Sequence, residues 1–246
     1  MPHNALNIRA KTLNAQYRGH GAIAILEGVL RDTAPNKTAL VSSFGAQSVV
    51  LLHMVSMVDR TLPILFIDTQ MLFRETRNYQ IALCALLGLE NLQIVTPHNA
   101  MLAMHDPVND LHQFDPDKCC DLRKSVPLEH ALQGFGNWIS GRKRFQGGSR
   151  TLIEHFEVDN RRLKINPLAH WGPQEVTTYI EENRLPKHPL IARGYASIGC
   201  APCTSPISAG EDPRAGRWRN HAKTECGIHL SPPAPQTPHN REKATA

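Results

Sequence analysis

Four of the six cysteines fall in two tight pairs, Cys119-Cys120 and Cys200-Ala201-Pro202-Cys203. A fifth, Cys226, stands alone in Lys223-Thr224-Glu225-Cys226-Gly227-Ile228-His229. Thiolates are ligands of zinc and of iron–sulfur clusters, so the two pairs supply a four-sulfur donor set. Zinc sites favour two C-x2-C pairs, and only the second pair has that spacing. A [4Fe–4S] cube offers separate iron corners and tolerates adjacent cysteines. The pattern therefore ranks Cys119, Cys120, Cys200 and Cys203 as ligands of an iron–sulfur cluster ahead of zinc, with unliganded buried thiols third. Cys226, beside Gly227 and close to Lys223 and His229, has the surroundings of a thiolate nucleophile, the plain alternative being an incidental exposed cysteine. Cys84 lies within an apolar helical stretch and reads as core.

Two further features point to an anion. In Ser42-Ser43-Phe44-Gly45-Ala46-Gln47-Ser48 a strand ends in small residues and a helix begins at once, which turns backbone N–H groups and a helix N-terminus outward. No Gly-Lys-Ser/Thr follows, so this is not a Walker A loop. An ordinary βα turn has the same spacing. Basic residues then gather at predicted strand ends and beside cysteines: Arg123, Lys124, Arg142, Lys143, Arg144, Arg150, Arg214 and Arg217. Arginine presents a planar fork suited to phosphate or sulfate oxygens. Singly each is a solvated surface charge; their common placement favours an anion pocket.

The elements that position these residues read as alternating strands and helices. Strands are expected at 39–44, 63–68, 92–96 and 138–141, with a further edge at 164–168. Helices are expected at 17–31, 47–58, 73–87 (stopped by Gly88) and 173–183. This alternation predicts an α/β fold with a doubly wound, mostly parallel twisted sheet, whose ligands bind at the carboxyl ends of the strands. From Leu185 onward the periodicity is lost. The stretch 231–246 holds four prolines and reads as a disordered tail.

A chain of 246 residues with 41% hydrophobic and 20% charged content is long enough for a sizeable core. Its net charge of +5 fits an anionic small substrate without deciding against nucleic acid. No secretory signal is read at the N-terminus, and the longest apolar stretch, 49–58, is too short to span a bilayer. The expectation is a cytoplasmic protein whose thiols stay reduced.

The ordered motifs resemble those of the adenylyl-sulfate/phosphoadenylyl-sulfate reductases, over nearly everything from Lys37 to His229. The residues that carry the resemblance are Ser42-Ser43-Phe44-Gly45-Ala46 with Ser48, and Phe66-Ile67-Asp68-Thr69 with Leu72-Phe73 and Glu75-Thr76. Cys200-Ala201-Pro202-Cys203-Thr204, Gly210-Glu211-Asp212-Pro213-Arg214-Ala215-Gly216-Arg217-Trp218 and the segment around Cys226 follow in order. The resemblance implies a sheet of the adenine-nucleotide alpha-hydrolase-like (PP-loop) type. It divides the chain into an N-terminal helical segment (1–36), a nucleotide- and cluster-binding domain (37–204), a flexible catalytic segment (205–230) and the tail. It implies Cys226 as nucleophile and a [4Fe–4S] cluster on the four paired cysteines. Ser43, Phe44, Gly45, Ala46, Ser48, Asp68, Lys124, Arg144, Arg214, Arg217 and His229 are the expected substrate contacts. Thioredoxin is the implied electron donor; no nucleic-acid or membrane partner is expected, and a homo-oligomer is left open. The complete cysteine quartet favours adenosine 5′-phosphosulfate (APS) over its 3′-phosphorylated form (PAPS). Use of PAPS or of both stays open, as do an iron–sulfur PP-loop tRNA sulfur transferase and a non-enzymatic cluster-based redox sensor. Gln47 replaces an acidic loop residue, Gln70 a glycine, and Gly141-Arg142-Lys143-Arg144-Phe145-Gln146-Gly147 a Gly-x-Arg-Arg-Asp-Gln-Ser.

Overall fold

A computed structural model of the chain describes residues 3–34, 37–219 and 221–229. Six strands form one sheet: β1 (Thr38–Ser42), β2 (Ile64–Ile67), β3 (Leu92–Val95), β4 (Asn137–Ile139), β5 (Phe156–Asp159) and β6 (Arg162–Ile165). Their order is β3-β2-β1-β4-β6-β5, parallel throughout except for β5. Every residue of β1, β2 and β4 is buried, which requires cover on both faces and explains their continuous apolar character.

Among the described residues nine α-helices provide most of that cover: α1 (His3–Gln16), α2 (Ala22–Arg31), α3 (Ser48–Val58), α4 (Arg74–Leu87), α5 (Asn99–His105), α6 (Leu111–Phe114), α7 (Pro116–Cys120), α8 (Val126–Ala131) and α9 (Pro173–Glu182). On one face α2, α3, α4 and α9 bury Leu26, Val50, Leu52, Met54 and Leu83 against Leu40, Ile64, Ile139 and Ile165. On the other, Leu128 and Leu132 pack on Val41, Leu65, Ile67 and Trp138. Helix α4 stops at Gly88, whose φ of 63° lets its N–H reach the carbonyls of Cys84 and Ala85. Cys84 packs half-buried against the first of these cores.

Besides the short helices α5 to α8, which the sequence reading did not place, the structure departs from it in three places. The expected helix 17–31 begins only at Ala22, after a turn at Tyr17–Gly21 where Gly19 takes a φ of 79°. The tyrosine then folds onto α2, where a Cβ on Gly28 would meet its hydroxyl at 1.8 Å. Helix α1 escaped notice because its apolar stripe is only Leu6, Ala10 and Leu13. Third, the expected edge at 164–168 is an interior strand, β6, flanked by β4 and by the unforeseen hairpin partner β5. The tail 231–246 lies outside the described residues.

The chain leaves β1 toward β2 and β3 on one side and returns to β4, β6 and β5 on the other. Doubly wound sheets bind ligands at such a reversal, outside the carboxyl ends of the strands. The reversal here lies between β1 and β4.

Candidate active site

A cleft of about 230 Å³ opens at that reversal, between the loops that follow β1 and β4. Its first wall is the turn from β1 into α3. Ser42 Oγ accepts the N–H of Phe44 at 3.2 Å, and Ser48 Oγ accepts that of Gly45 at 2.9 Å. Phe44 adopts a left-handed φ of 48°, which turns its ring into the core, edge-to-face on Phe66 at 5.1 Å. That burial anchors the turn. Ser43, Gly45, Ala46 and Ser48 line the cleft, whereas Phe44 does not.

Cations form the second wall. Lys124, Arg214 and Arg217 line the cleft, joined by Arg142, Lys143 and Arg150 from the loop after β4. Arg144 turns away, its guanidinium donating to the carbonyl of Ile153 at 2.7 Å and to Glu154 at 2.6 Å. Asp68 is also outside the lining and accepts the N–H of Gln70 at 2.8 Å, while its neighbour Thr69 faces the cleft. Arg142 is committed to Glu157. Lys143 is 2% exposed, and the hydrogen bond of its Nζ is to the carbonyl of Gly141 at 2.9 Å. Burial, with the charge of Arg150 added, pulls its ammonium down to about 7. Arg217 lies flat over the ring of Trp218 at 4.3 Å, a pose that Gly199 permits because a Cβ there would meet the guanidinium at 2.3 Å.

Of the thiols, Cys200 and Cys226 line the cleft, with Cys119, Cys120 and Cys203 outside its lining. Cys119, Cys120 and Cys200 are buried and Cys203 is partly so. Burial above all, opposed by the charge of Arg123 and assisted by Cys200 and Cys203, raises Cys119 to about 11. Thr69 Oγ1 lies 3.2 Å from Cys200 Sγ. The same threonine's carbonyl accepts from Arg123, which is paired at 2.6 Å with Asp106. Arg123 is thus a buried brace joining the first cysteine pair to the end of β2, not part of the anion wall. No group of three or more His, Cys, Asp or Glu side chains that would hold a metal ion is found among the described residues. Cys119, Cys200 and Cys203 are near enough to influence one another's charge, whereas Cys120 is engaged with Cys226.

Cys226 enters the cleft from the C-terminal segment. A hydrogen bond from the Cys120 thiol holds Cys226 well below the usual thiol range, burial opposing it and Lys124 and Arg217 assisting. Cys120 is correspondingly pushed up. Burial pulls Lys124 down, but the thiols of Cys226, Cys200 and Cys120 more than offset it and leave the ammonium raised. The segment is held by Glu225 on Arg150, by Lys223 on Asp117 and by Ile228 against the second core. His229 stacks parallel to Trp138 at 6.1 Å. Burial first, then Lys164, Arg150, Arg142 and Arg214, keeps its imidazole neutral.

The family model described as the phosphoadenosine phosphosulfate reductase domain matches residues 37–206. The chain belongs to this family. It is 48% identical to a protein of Mesorhizobium japonicum named adenosine 5′-phosphosulfate reductase, over 91% of this chain and 88% of that one. A protein of the same name from Chelativorans sp. is 49% identical, over 91% of each. The fold matches the crystal structure of phosphoadenylyl-sulfate reductase from Candida auris with a TM-score of 0.68 at 24% identity, covering 80% of this chain and 96% of that one.

Within this family the departures of the present chain have local explanations. Gln70 holds a φ of 62°, a left-handed conformation that a glycine takes without strain and that costs another residue about 1–2 kcal/mol. Gln47 accepts from the amide of Gln146 at 3.2 Å, a neutral pair in place of an acidic residue. Phe145 packs partly against the first core. The cleft also uses Lys143 and Arg150, which the basic cluster named and the resemblance did not, and Thr69 and Glu225, which neither named as contacts. Glu225 had a signal, since an acid next to a nucleophile inside a basic pocket is unexpected on charge alone.

Proposed function

We propose that this chain reduces APS to sulfite and AMP through a covalent intermediate on Cys226. The observation that carries this reading is that Cys226 shares one cleft with the β1–α3 turn and with Lys124, Arg214 and Arg217. With the N–H groups of Phe44 and Gly45 taken by Ser42 and Ser48, those of the following residues, at the N-terminus of α3, suit the nucleotide's phosphate. The Cys226 thiolate attacks the sulfate sulfur, the bond from sulfur to the phosphate oxygen breaks, and AMP departs with that electron pair. Arginine and lysine charge stabilises the leaving phosphate as it forms. A dithiol of the thioredoxin type then attacks Cys226 Sγ, releases sulfite and ends as a disulfide, supplying the two electrons that take sulfur from the sulfate to the sulfite state.

Cys119, Cys120, Cys200 and Cys203 would hold a [4Fe–4S] cluster, which when bound orders the cleft beside Cys200 and adds fixed charge. The protein's own contribution there is Lys124, placed between the paired thiols and Cys226 as the cation common to both. The thiol chemistry fits a reducing cytoplasm; among the described residues no helix is long and apolar enough to cross a membrane.

Incubation of the anaerobically prepared protein with APS and no reductant should release AMP and leave one SO3 on the Cys226 peptide, read by mass spectrometry. Thioredoxin should then discharge it as sulfite. Comparing kcat/KM for APS and PAPS decides the substrate, and a strong PAPS preference overturns the APS assignment. Absence of the adduct with both nucleotides overturns the mechanism.

A further inference from the structure

The carboxylate immediately before Cys226 is held by two arginines and by the backbone of Cys226. Glu225 is 5% exposed. It receives Arg150 through two parallel bonds, Nε at 2.5 Å and Nη2 at 2.8 Å. Arg214 Nη2 stands 3.6 Å away and also donates to the carbonyl of Thr224 at 3.0 Å. Glu225 Oε1 in turn accepts the backbone N–H of Cys226 at 2.8 Å. Behind Arg150, Gln146 Oε1 accepts its Nη1 and the N–H of Lys143, and Gln146 Nε2 reaches Gln47 at the start of α3. An unbroken polar chain therefore runs from the β1–α3 turn to the backbone of Cys226.

We propose that Glu225 is the latch of the catalytic segment, a positioning residue whose pairing with Arg150 and Arg214 seats Cys226 in the cleft and is broken each time the segment leaves. The proposal rests on the reading of Cys226 as the nucleophile that meets a nucleotide in the cleft and a dithiol outside it. A carboxylate suits a reversible closure better than an apolar plug. Carboxylate and guanidinium are each well hydrated when apart, and a buried pair returns little net free energy over that hydration, so the open and closed states stay close. An apolar residue would leave Arg150 buried without a partner on closing. The doubly bonded fork gives the closure one geometry, and the Cys226 N–H shares the same oxygen. Ile228 adds apolar contact without setting the register of Cys226.

The test uses the full chain prepared anaerobically, in three variants: Glu225→Gln, Glu225→Asp and Arg150→Lys. The first readout is the rate of Cys226 alkylation by iodoacetamide under saturating AMP, located by peptide mass spectrometry. The second is the AMP Kd by calorimetry, which also reports folding. Loss of a charge-assisted fork should speed alkylation in Glu225→Gln by about 10- to 100-fold, with adduct formation from APS slowed comparably and the AMP Kd within about threefold. Arg150→Lys keeps the charge, loses the fork and should show an intermediate increase, as should the shorter Glu225→Asp. Unchanged alkylation in Glu225→Gln with AMP binding intact overturns the latch. Tightening of AMP by tenfold or more also overturns it, making Glu225 an occupant of the nucleotide's own anion site. A wild-type protein that forms no adduct fails the proposed function, while the alkylation readout still tests the latch.

Discussion

The two walls of the cleft are built by opposite means. The wall from β1 and α3 is fixed by burial: Val49, Val50, Leu52 and Phe44 are all 0% exposed, and in the turn between the two elements the N–H groups of Phe44 and Gly45 are assigned to Ser42 and Ser48. The wall from the C-terminal segment has no regular element longer than the short turn Gly227–His229. It is fixed largely by charge, through Glu225 on Arg150, Arg214 on the Thr224 carbonyl and Lys223 on Asp117. Apolar burial is insensitive to salt and all but irreversible under native conditions, whereas ion pairs form and break with small net change. The wall from β1 and α3 is therefore rigid, and on the proposed mechanism the wall that carries Cys226 is the removable one.

This contrast can be broken or sharpened in four ways. Cys226→Ser should abolish sulfite release by at least about a thousandfold, as removal of a covalent nucleophile does, while AMP binding is retained. Loss of AMP binding in that variant would mean the two walls are not separable. Leu52→Ala should destabilise the whole chain by about 2–5 kcal/mol, with one cooperative denaturant transition whose midpoint shift is the same at low and high salt.

Lys143→Met tests a charge held inside the rigid side of the cleft. Burial holds the folded lysine at about 7, against about 10.4 for a solvated one. Between those values the unfolded chain binds the proton and the native chain does not, so this residue makes stability rise with pH from about 7 to about 10. At pH 7 and below, native Lys143 is forced to carry its charge in a desolvated place. The methionine variant should therefore gain on the order of a few kcal/mol at pH 6–7 and show a flatter Tm–pH profile, with weaker nucleotide binding. An unchanged profile would show that Lys143 is solvated. Asp117→Asn should have the smallest effect, about 0.2–1 kcal/mol on segment docking, read as faster Cys226 alkylation at low salt that merges with wild type at high salt.

The rigid side of the molecule was largely legible in the sequence. Continuous apolar runs gave β1 and β2, and Gly88 marked the end of α4, because buried strands and helix stops have local signatures. Element β5 was missed because its four residues alternate weakly and are specified by pairing with β6 instead of by pattern. The distribution of charge was less legible. Arg123, Arg142 and Arg144 look alike in the chain, yet they serve respectively as a buried brace to Asp106, a partner of Glu157 and a surface pair with Glu154. Side-chain direction at a strand end depends on backbone twist and on neighbours far away in sequence, which residue type does not encode. The cysteines stood out because their chemistry is rare enough for spacing alone to single them out.

One small contact at the far end of the sheet bears on how the protein behaves at high concentration. The Asn14 side chain donates to the carbonyl of Phe156 at 2.8 Å and accepts its N–H at 2.9 Å, so an amide on α1 occupies the hydrogen-bonding positions that a seventh strand would take. An uncovered strand edge is a template on which another chain can pair. Helix α1 lies outside the family match of 37–206; because it covers this edge, Asn14→Leu should bring concentration-dependent aggregation with unaltered turnover, read by light scattering.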